Sequence, residues 1–121
     1  QFTAWVSKWE QGLAEVVHFP APPFEGGGDL EALKSAKSMR REALEMKNCL
    51  VSRIGDVLVG ASYFYHWPGP EPASVMLTYE SRCGWHFAEA LGYDNQLISD
   101  RTTDEIQSFV RANLIGKSDL Q

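Results

Sequence analysis

The chain has 121 residues, 44% of them hydrophobic and 12% aromatic. That is enough for one globular core and too apolar for a disordered segment. The net charge of -5 and scattered Lys and Arg leave no basic stripe, which argues against a nucleic-acid partner. No apolar run approaches the roughly 20 residues of a membrane-spanning helix, and two cysteines separated by 33 residues suit a reduced, cytoplasmic protein.

Phe2, Trp5, Val6, Trp9, Leu13, Val16 and Val17 recur at spacings of three and four, which predicts an amphipathic helix over residues 1–17. Phe19 to Asp29 contains Pro20, Pro22 and Pro23 and three consecutive glycines, so it is read as an extended strap across the body of the protein. Asp29 is expected to cap a short helical turn holding Leu30 and Leu33. Ser35 or Ser38 is expected to cap a helix whose inward face is Met39, Ala43 and Met46, continued by Leu50. Leu50, Val51, Ile54, Val57 and Leu58 predict a second helical piece, bent near Asn48-Cys49 or after Ile54-Gly55.

The aromatic run Ala61 to Trp67 reads as a strand, Pro68 to Pro72 as a loop, and Ser74 to Tyr79 as the returning strand of an antiparallel hairpin. After a turn at Ser81 to Gly84, the alternation of Trp85, Phe87, Glu89 and Leu91 predicts a third strand, although Trp85, Ala88 and Leu91 also suit a helix. Thr102 to Glu105 has the form of a capping box, and Ile106, Phe109, Val110 and Leu114 give a C-terminal helix ending at Gly116. The expected fold is a single α+β domain, with an N-terminal helix, strap, central helices, a small antiparallel sheet and a C-terminal helix.

The order Leu33, Met39, Glu42, Ala43, Met46, Asn48, Cys49, with a helix reaching Gly60 before an aromatic strand and with Gly92-Tyr-Asp-Asn95 later, resembles the PcfJ-like domain family. The resemblance spans roughly residues 19–115 and marks residues 30–116 as the family core. Members are encoded in conjugative and other mobile elements of bacteria. The chain departs from the family pattern in carrying Ala43 for glycine, Asn48 for histidine, Leu50 for valine and Arg53 for tyrosine. The resemblance implies a fold and a mobile-element or phage-like context, with no catalytic activity carried over. It retains Glu42, Met46, Cys49 and Asn95 as structural determinants.

Chemistry is concentrated in few residues. Cys49 as a nucleophile needs a base, His66 or His86, and an orienting amide, Asn48 or Asn95. That constellation describes a cysteine-dependent hydrolase or transferase, the alternative to a non-enzymatic interaction module. Cys49 is otherwise a small core side chain, three residues past Met46 and packed on it and on the sheet. Cys83-Gly-Trp-His86 has a zinc-like spacing that Cys49 and His66 would complete as Cys2His2, but one close pair falls short of a zinc signature. No metal and no cofactor are expected. Glu42, beside the small Ala43, is expected to be buried and bonded to backbone, and Asn95 to bond turn backbone through its side chain. A protein partner is expected to meet Tyr63, Tyr65 and Trp67 on the sheet, or Trp5 and Trp9 on the first helix.

Overall fold

A computed structural model describes residues 18–26 and 29–119, with side chains to residue 114. The expected helix over residues 1–17, with Trp5 and Trp9, lies outside the described residues. The described chain is α+β. Four antiparallel strands lie in sequence order: β1 (Glu31–Ala32), β2 (Ser62–Trp67), β3 (Ala73–Glu80) and β4 (Gly84–Leu91). The helices are α1 (Ala36–Met46), α2 (Ile54–Leu58), which a 3-10 turn at Leu50–Arg53 precedes, and α3 (Asp100–Asp119).

The central hairpin forms where alternation and turn residues place it. β2 and β3 pair from Ser62 with Thr78 to Trp67 with Ala73, around the proline-rich loop that neither strand would tolerate. β3 and β4 pair from Ser74 with Leu91 to Glu80 with Gly84, and a bulge at Ala88 shifts the register between Met76 and Leu77. Gly84, at φ 73, supplies the left-handed residue that closes the three-residue loop Ser81 to Cys83. The third strand is therefore a strand and not a helix.

Two expectations at the strand and helix starts are corrected. The segment at Asp29 to Leu33 is no helical turn: Glu31 and Ala32 pair with His66 and Tyr65 and add a fourth strand. Gly26 permits this, because a Cβ there would collide with the backbone of Leu30, Glu31 and Ala32. The C-terminal helix begins before Thr102. The Ser99 hydroxyl accepts the Thr102 N–H at 3.2 Å, so Ser99 is the cap. Glu105 instead pairs with Arg101 along the first turns, and the helix passes Gly116 to Asp119.

Because successive side chains alternate faces, β2 sorts its aromatic run between two layers. Tyr63, Tyr65 and Trp67 face the strap and α3. The Tyr63 hydroxyl donates to the Pro20 carbonyl at 3.0 Å, the Tyr65 hydroxyl donates to the Phe24 carbonyl at 2.7 Å, and Trp67 meets Phe109 edge-on. Phe64 and His66 face the side covered by α1 and the 3-10 turn. Tyr63 and Tyr65 are at most 1% exposed and Trp67 6%. The proposed binding surface of these three aromatics is thus core: strap and α3 cover it. Burial also drives the Tyr63 phenol up to about 12 and raises that of Tyr65.

Candidate functional site

Of the two serines that the sequence offers as the cap of α1, Ser35 is the N-cap and Ser38 completes the capping box. Ser35 accepts the Ser38 N–H at 3.0 Å, and the Ser35 N–H donates to the Ser38 hydroxyl at 3.1 Å. The face so oriented carries Met39, Glu42 and Met46, all buried. Glu42 is therefore held against the sheet, where a bare carboxylate would be very costly. Its partners are side chains and not the expected backbone groups. The Ser74 hydroxyl donates to Oε2 at 2.7 Å, and His66 Nδ1 approaches the same oxygen at 2.9 Å.

The network continues toward the surface. Asn48 Nδ2 donates to Ser74 Oγ at 3.1 Å, while Asn48 Oδ1 accepts the Leu50 N–H at 3.1 Å. Asn48 thereby ties the 3-10 turn to β3 and Glu42, rather than orienting a histidine for a thiol. Among the described residues, no buried side-chain polar atom lacks a partner. The Glu42 hydrogen bond raises the pKa of His66 above its ordinary value, against the opposing effect of burial.

Cys49 is exposed, contrary to the expected burial against Met46. Lys47 adopts the left-handed conformation, φ 53 and ψ 60, and the N–H groups of Lys47 and Asn48 both return to the Ala43 carbonyl. That C-cap ends the 3.6-residue repeat, so spacing from Met46 no longer assigns Cys49 a face. Its thiol instead borders a shallow cavity of ≈250 Å³. Phe64, Met76, Leu50 and Leu91 supply apolar walls, and Asn48, Ser74, Arg53 and Glu89 supply polar ones. Asn95 lines it too, from the Gly92 turn, where it bonds through its main-chain N–H to the Gly92 carbonyl and not through its amide. The volume lies below the roughly 300–1,000 Å³ of small-molecule sites and suits a side chain.

The catalytic constellation expected around Cys49 does not assemble. His66 is engaged by Glu42. His86 lies on β4 beside the other thiol, with Nδ1 3.7 Å from Cys83 Sγ. Neither imidazole hydrogen-bonds Cys49, and Cys49, His66, Cys83 and His86 do not form a Cys2His2 set. Ser74, Arg53 and Glu89 also line the site, although the sequence marks Ser74 and Glu89 only as strand positions and Arg53 only as a departure from the family's tyrosine. Ser74 had one signal, a small polar residue within a strand of apolar inward positions. Arg53 had the signal of occupying a position of the resemblance; its guanidinium reaches the Met76 thioether at 3.2 Å and Asp56 at 3.3 Å.

No protein-family model, curated protein or solved structure matches this chain. No described helix is long and apolar enough to cross a membrane.

Proposed function

We propose that the chain is a non-enzymatic protein-interaction module of the PcfJ-like type, from a bacterial mobile-element or phage-related protein, working in the cytoplasm. It seats a partner side chain in the cavity at Cys49. One observation carries this reading. Asn48, Cys49 and Asn95, drawn from two separated segments of the resemblance, line one side-chain-sized cavity, and Ser74 links it to the buried Glu42. Glu42 Oε2, the Ser74 hydroxyl, His66 Nδ1 and the Asn48 amide are engaged with one another, which favours a rigid, preformed wall over a reacting centre. The partner is a protein, consistent with the acidic balance of the chain.

The cysteine-dependent hydrolase or transferase draws support from the exposure of Cys49 at the cavity, but a thiol without an imidazole lacks its base. The interaction reading is tested by affinity capture from the native host with wild type and Cys49→Trp, which fills the cavity from its exposed rim. A defined protein recovered by wild type and lost with Cys49→Trp is expected. Recovery of nucleic acid alone, or capture indifferent to Cys49→Trp, would overturn it.

A further inference from the structure

The tip of the β3–β4 hairpin carries a second thiol and imidazole that the cavity does not use. Cys83 is exposed on the turn, and the positive φ of Gly84 folds the chain so that Cys83 Sγ lies 3.7 Å from His86 Nδ1. A zinc ion with Zn–S near 2.3 Å and Zn–N near 2.0–2.1 Å holds tetrahedral S and N ligands about 3.5 Å apart. The pair is thus spaced for a shared ion with little movement. The other ring nitrogen is already supported. His86 Nε2 lies 3.0 Å from Thr78 Oγ1 and 3.5 Å from Glu80 Oε1, the kind of outer acceptor that fixes a ligating histidine.

Two further contacts complete the local set: His86 Nδ1 is 3.2 Å from the Gly84 carbonyl, and Cys83 Sγ is 3.8 Å from Glu80 Oε2. Among the described residues, no three His, Cys, Asp or Glu side chains converge as a metal-ligand group. The described residues of one chain therefore offer two ligands here, and a structural zinc wants four.

We propose that Cys83 and His86 form half of a zinc site that a second copy of this chain completes as Cys2His2 across a two-fold axis. The ligand arithmetic selects the second copy: an isologous contact doubles a Cys-His pair into the full tetrahedral set. The neighbouring surface suits it. Tyr79 is half-exposed and meets Trp85 edge-on at 5.6 Å, which places an apolar pair just behind the tip. On binding, each thiol releases its proton to solvent and ligates as thiolate. Each imidazole ligates through unprotonated Nδ1 and carries its proton on Nε2, facing Thr78 and Glu80. Two protons leave for each zinc bound.

The test is titration of the metal-free full chain with zinc and with cobalt, read by absorption and by sedimentation. One metal per two chains is expected, with a thiolate-to-cobalt charge-transfer band, a shift from monomer to dimer, and reversal by a chelator. Cys83→Ser and His86→Asn should each lower the apparent affinity at least about tenfold, since even outer-sphere changes cost 10–100-fold. Both positions are at the hairpin tip, and circular dichroism verifies that each variant is folded. No uptake at micromolar zinc, uptake unchanged in both variants, or one metal per chain with no change in mass would each overturn the proposal. Cys83 and His86 do not line the cavity at Cys49, so none of these results bears on the interaction reading.

Discussion

Glu42 and Cys49 sit seven residues apart, and their environments are opposite. Glu42 shares the inward face with Met39 and Met46, and its burial is legible from the small Ala43 beside it and from its place in the resemblance. Its partners are not, because Ser74 and His66 lie 32 and 24 positions away and only the sheet brings them in. Glu42→Ala leaves His66 and Ser74 without their shared acceptor and should cost about 1–3 kcal/mol in thermal or denaturant unfolding, the range for leaving a buried polar partner unsatisfied. The pair also sets a pH dependence. His66 has a raised pKa in the folded state, so the stability it contributes is fully present below its unfolded value of about 6.5. That stability is lost as pH rises through the folded value. Wild type should therefore melt lower as pH climbs past this point. Glu42→Gln, lacking the charge that favours imidazolium, should flatten that slope. A steeper or unchanged slope in the variant would show that another group controls it. Cys49 behaves differently. Being exposed, it should react with a maleimide in the native state, and Cys49→Ser should shift stability by no more than about 0.5 kcal/mol. A thiol that labels only after denaturation would contradict its placement at the cavity.

At the scale of elements, the start of α3 is fastened by a residue far from it in sequence. Glu71, in the loop between β2 and β3, accepts the Ser99 N–H at 3.0 Å and the Ser99 hydroxyl at 2.7 Å, together with the Thr102 hydroxyl. These bonds, the one from Thr102 foremost, hold the Glu71 carboxyl below its ordinary pKa. A carboxylate at a helix N-terminus also meets the positive end of the helix dipole. With the folded pKa depressed, the contribution of Glu71 is present above its unfolded value and lost as pH falls through the folded one. Glu71→Gln should therefore lower the melting temperature near neutrality, and the gap to wild type should close in acid. A gap of equal size at every pH would mean that shape rather than charge matters there. Ser99→Ala removes the cap and should cost about 1 kcal/mol. The same region shows what spacing conveys. Ile106, Phe109, Val110 and Leu114 reveal the helix, whereas its first residue depends on a loop glutamate that no local pattern connects to it. β1 escapes the sequence for a similar reason. Two residues are too few for alternation, and they are strand only because β2 and the close approach at Gly26 make them so.

The described residues form a sheet sandwiched between a regular layer, α1 with the 3-10 turn, and a layer half of which, the strap, has no regular structure. The proline-rich sequence announces an extended strap, and the strap does cross the sheet. Its attachment inverts the expected role of the aromatic strand. Tyr63 and Tyr65 were legible as a platform, but alternation alone does not say whether a tyrosine face meets solvent or another part of the chain. Here Pro22, Pro23 and Phe24 are buried, Phe24 stacks on Tyr65 at 4.8 Å, and carbonyls of the strap are satisfied by the two phenols. An irregular segment has no ladder partners, so a buried carbonyl that loses its donor remains unsatisfied. Tyr65→Phe keeps the ring and its stacking but strands the Phe24 carbonyl in the core, at a cost of about 1–3 kcal/mol. Tyr63→Phe should cost less, because its bond to Pro20 is only partly buried. Native-state hydrogen exchange locates the effect. In Tyr65→Phe the amide of Phe24, which donates to the Tyr65 hydroxyl at 3.4 Å in the wild type, should lose protection well before those of β2 and β3, because the strap detaches as a unit while the hairpin stays paired. Loss of protection at equal rates in strap and hairpin would mean that the strap is integral to the sheet's own stability.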